Sequence, residues 1–114
     1  MLSWSCHTSE TEVDLGAIAA GEGDVGLPLG RELVRFASAA ADLRGSRPEL
    51  DDARATLVSA GDQALMIDAA AVAANFQMMT RLADGTGARY PESRLEGMAP
   101  TIQLMGAAEM PSRR

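Results

Sequence analysis

Strand signals are what this sequence most conspicuously lacks. Val, Ile and Thr are scattered, with no alternating run of the kind that lays down a half-buried strand. Aromatics are scarce too: two Phe, one Tyr and one Trp in 114 residues. The 46% of apolar residues are mainly Ala, Leu, Val and Met, small or flexible side chains that favour close helix packing over a β-sandwich core. There is one cysteine, Cys6, so no disulfide can form within the chain. The N-terminus lacks the basic-then-apolar plan of a secretion signal, and together these predict a cytoplasmic protein. Lysine is absent altogether, and all ten basic residues are Arg, a bias that suggests a GC-rich bacterial genome. Against them stand sixteen Asp and Glu, and the resulting charge of −6 disfavours nucleic-acid backbones and anionic membranes as partners. The longest apolar run, Ala64 to Ala74, is interrupted by Asp68 and falls short of the ~20 residues a bilayer-spanning helix needs.

What is present reads as helices punctuated by Gly and Pro. The length suits one domain, 1–114. A first helix is predicted from Ser9 to Ala20, closed by the Gly-rich stretch Gly21 to Gly26 and by Leu27-Pro28. From Gly30 to Arg44, Leu33, Phe36, Ala37, Ala40 and Ala41 recur at helical spacing, and Gly45 supplies a stop. Ser46-Arg-Pro-Glu49 has the spacing of a capping box, with Pro48 tolerated in the first turn of a third helix ending near Gly61. Asp62 can cap a fourth and longest helix, to Asp84, in which Leu65, Ala69, Val72, Phe76, Met79 and Ala83 form a seam. Met66, Ile67, Ala70, Ala71, Ala74 and Met78 make its other faces apolar as well, so short helices from the same chain can hardly cover it. A homo-oligomer built on Asp62 to Asp84 is therefore expected. Residues 88–114, with Pro91, Pro100 and Pro111, read as a short helix or an irregular tail.

Four features bear on chemistry. Cys6-His7 sets a thiol beside the only imidazole, although neighbours on a helix point about 100° apart, which is no prepared catalytic couple. His7 with Glu10 has metal-ligand spacing, but a bundle site needs further carboxylates and a second His, so no metal is expected. Gly21-x-Gly23-x-x-Gly26 matches the dinucleotide fingerprint in letters only. No strand precedes it, and Glu22 and Asp24 would repel phosphate, so it reads as a loop between helices and no cofactor is expected. The methionines Met66, Met78, Met79, Met98, Met105 and Met110 read as core filler.

The stretches Leu29 to Ala37, Asp62 to Ala74 and above all Ala74-Asn-Phe-Gln-Met-Met-Thr-Arg-Leu-Ala-Asp-Gly-Thr-Gly87 resemble the carboxymuconolactone decarboxylase and AhpD-like alkylhydroperoxidase superfamily, over roughly residues 4 to 90. The resemblance implies an all-α bundle of four to five helices, assembled as trimers or hexamers. Redox-active members carry Cys-x-x-Cys followed by His, one thiolate attacking peroxide and the other resolving the intermediate. With Cys6 at the second cysteine position, Ser3 stands at the first and Glu10 near the expected His. The alignment preferred here instead matches Trp4-x-x-His7 to members that lack the cysteine pair, keeping His7 as general acid/base and making Cys6 incidental. The resemblance thus implies peroxide-reducing or lactone-decarboxylase chemistry that is weak or lost without the pair, with His7, Cys6 and Glu10 as the candidate catalytic residues. Against the family the chain is short at its N-terminal end. The other reading is a noncatalytic helical oligomerisation or binding module.

Overall fold

The computed structural model describes residues 13–21, 24–42, 44–89 and 91–106. Five α-helices account for most of them: α1 Leu15–Ala20, α2 Gly30–Ala41, α3 Arg47–Ala60, α4 Gln63–Thr86 and α5 Glu92–Leu104. No strand occurs among the described residues, and the all-α expectation holds.

Local chemistry sets most of the ends. Asp14 caps α1 by accepting the Ala17 N–H at 3.0 Å, and Gly21, at φ 70°, closes it in the left-handed conformation that glycine adopts without steric cost. The helix expected to start at Ser9 therefore starts at Leu15 within the described chain. The α2 helix stops at Ala41, earlier than Arg44, because Asp42 turns extended. At the start of α3 half of the expected capping box is present: Ser46 Oγ accepts the Glu49 N–H at 3.3 Å. The Glu49 carboxylate, however, accepts the Ser46 hydroxyl at 3.0 Å, so side chain bonds side chain and the reciprocal backbone bond is not made. Asp62 caps α4 through the Leu65 N–H at 2.7 Å. That helix runs through Gly85 and stops only at Gly87, φ 69°, whose N–H turns back to Asp84. Beyond it the chain forms α5, a full helix with Pro100 inside it, which settles the choice between helix and irregular tail for 92–104.

Packing divides these helices unequally. Along α2, α3 and the first half of α4, Phe36, Ala53 and Leu57 are buried, with Leu33, Ala39, Leu50, Leu65, Met66, Ala69 and Ala70 against them. Val25, buried just before α2, seats against Gly30, where an added Cβ would come within 2.2 Å of Val25 Cγ2. The α5 helix packs on α1. The α1 entry is tied to the following loop by the Asp14 N–H donating to the Val25 carbonyl at 3.2 Å.

Candidate functional site

Helix length decides where this molecule exposes apolar surface. The 24 residues of α4 span ~36 Å at the α-helical rise, whereas the 12 of α2 and the 14 of α3 span only ~18 and ~21 Å. Two shorter helices lying on one end of α4 can straddle a wide arc of it but only a part of its length. Accordingly Leu65, Met66, Ala69 and Ala70 all meet the core, and Ala73, one turn on, is half-buried.

Beyond that turn the apolar side chains face outward. Val72, Phe76, Met78, Met79 and Leu82 are each about half exposed or more, Phe76 at 56% and Leu82 at 63%. Here the expected arrangement is corrected in two ways. The seam holds at Leu65 and Ala69, but Val72, Phe76 and Met79 do not face the chain's own core. Conversely Met66 and Ala70, read on the other faces that the chain's own helices can hardly cover, belong to the core, while Ala74 and Met78 of those faces are exposed. A 3.5-residue repeat identifies a strip that one neighbouring helix would cover; two helices astride α4 select a broader and shorter patch. The methionines divide likewise: Met66 fills the core, but Met78, Met79 and Met98 are exposed and are not filler.

The exposed residues, with the half-buried Ala83, fall into two stripes. Val72, Phe76, Met79 and Ala83 step by four and three along one, and Ile67, Ala71, Ala74, Met78 and Leu82 along another, about 130° round the helix. From Ala69 through Thr80 there is no charged residue. Two polar side chains there bond within the helix: Thr80 donates to the Phe76 carbonyl at 3.0 Å, and Asn75 Nδ2 lies 3.7 Å from Met79 Sδ. Among the described residues the apolar stripes have no partner.

The residues the sequence nominates for catalysis, His7, Cys6 and Glu10, lie outside the described residues, as do Ser3 and Trp4. Gly21 and Gly26 sit in the connection between α1 and α2, so a helix precedes the glycines where the dinucleotide fingerprint needs a strand. Among the described residues no group of three or more metal-ligating side chains converges. Open depressions among the described residues include two with polar linings. One, about 240 Å³, lies where α2 ends and α3 begins, lined by Arg35, Ser38, Asp42, Ser46 and Glu49 among others. The other, about 710 Å³, lies by α1 and the end of α5, with Asp14, Asp24 and Leu104 in its lining. Both of its carboxylates accept backbone N–H groups, Asp14 from Ala17 and Asp24 from Gly26 at 2.9 Å. Neither depression pairs a nucleophile with an imidazole base, since the described residues contain neither Cys nor His. No helix among them is long and apolar enough to cross a membrane. Compared with known protein families, curated proteins and solved structures, the chain matches none.

Proposed function

We propose that this chain is a self-assembling helical subunit of the AhpD-like kind, with the distal half of α4 as the contact between copies. The observation that carries this reading is the two-striped apolar surface between Ile67 and Leu82, free of charge from Ala69 through Thr80. Burial of such a surface is favourable by roughly 25 cal/mol per Å² of apolar area removed from water. The small side chains of Ala71 and Ala74 allow helices to approach closely, and Phe76 and Met78 supply bulk. Two stripes on different sides let one α4 touch two neighbours, which suits the trimers or hexamers that the sequence resemblance implies better than a single twofold pair. In this reading any peroxide-reducing or lactone-directed chemistry belongs to the N-terminal segment, His7 acting as general acid/base with Cys6 and Glu10 nearby, and is weak without a Cys-x-x-Cys pair.

A noncatalytic oligomerisation or binding module is the competing reading, favoured by depressions whose polar groups serve caps, turns and, at Arg35, an ion pair between α2 and α3. Two experiments separate these possibilities. Light scattering at micromolar concentration should give a mass above the 11.9 kDa of one chain; a monomer would overturn the assembly. Purified protein should then be assayed for organic-peroxide reduction with a thiol donor and for lactone decarboxylation. Activity abolished by His7→Ala or Cys6→Ala supports the enzyme, and an assembled but inert protein supports the module.

A further inference from the structure

We draw no further inference here: the strongest candidate, the open polar pocket where the end of α2 meets the N-terminus of α3, lined by Arg35, Ser38, Asp42, Ser46 and Glu49, rests on a helix N-terminus whose polar side chains are exposed, and no second observation points to a ligand.

Discussion

Leu57 has no exposed surface and meets Phe36 and Ala53 in a cluster that joins α2 to α3. Its truncation to Ala leaves a cavity that neighbouring helices can only partly close, and should cost about 2–5 kcal/mol, read as a lower urea midpoint. A loss under ~1 kcal/mol would mean that the site is not packed in this way. Two glycines give opposite expectations. Gly30→Ala drives a methyl into the buried Val25 and should destabilise by about 1–3 kcal/mol. Gly85→Ala, in the last turns of α4 with nothing within 4 Å of its Cβ, should stabilise by about 0.5–1 kcal/mol because alanine loses less backbone entropy in a helix. Thermal melting of the pair checks both signs. At Cys6 the expectation is chemical. Ser3 cannot resolve a sulfenic acid, so no two-cysteine peroxidase cycle should operate. Peroxide-driven formation of a Cys6–Cys6 disulfide between two copies, reduced by dithiol at each turnover, would contradict this.

At the scale of the element, caps and faces behave differently. Asp62 accepts the Leu65 N–H at the point where the longest helix begins. Asp62→Ala should cost about 1 kcal/mol, whereas Asp62→Asn, which can cap equally well, should cost much less. A cap is a contact over three residues, which is why Ser46 and Asp62 could be read from the chain alone. The face a helix buries depends on what lies across from it, and at α4 that was not legible. Ala70 and Ala74 show the consequence, since their spacing places them together while the core covers only the first. Ala70→Glu should unfold the protein by placing a carboxylate against the core, with loss of helical circular dichroism. Ala74→Glu should retain the helical signal and lower the assembly mass. If both variants stay folded and assembled, neither the core edge nor the contact is where it is placed here. Exposed ion pairs add little beside these effects: Arg35–Asp52 and Arg54–Asp51 are substantially solvated and contribute ~0–1 kcal/mol each.

For the whole molecule, the contrast is between a small buried cluster and a large apolar surface left outside it. Phe76→Glu and Met78→Glu, one on each stripe of α4, should each reduce the mass measured by light scattering while leaving the fold intact. If the two stripes meet different neighbours, each single variant should stop at a smaller oligomer and the double variant at the monomer. Retention of full mass by the double variant would remove α4 from the interface. The helical class, the positions of most turns and the excess of apolar surface on one long helix were determined by the sequence itself, because propensity, capping and hydrophobic spacing act over a few residues. Tertiary structure alone decided that α2 and α3 cover only the first turns of α4, that Met66 and Ala70 go inward, and that Val72, Phe76 and Met79 stay out. The physical reason is that burial depends on the length and crossing of partner helices, and the periodicity of a single helix carries no information about either.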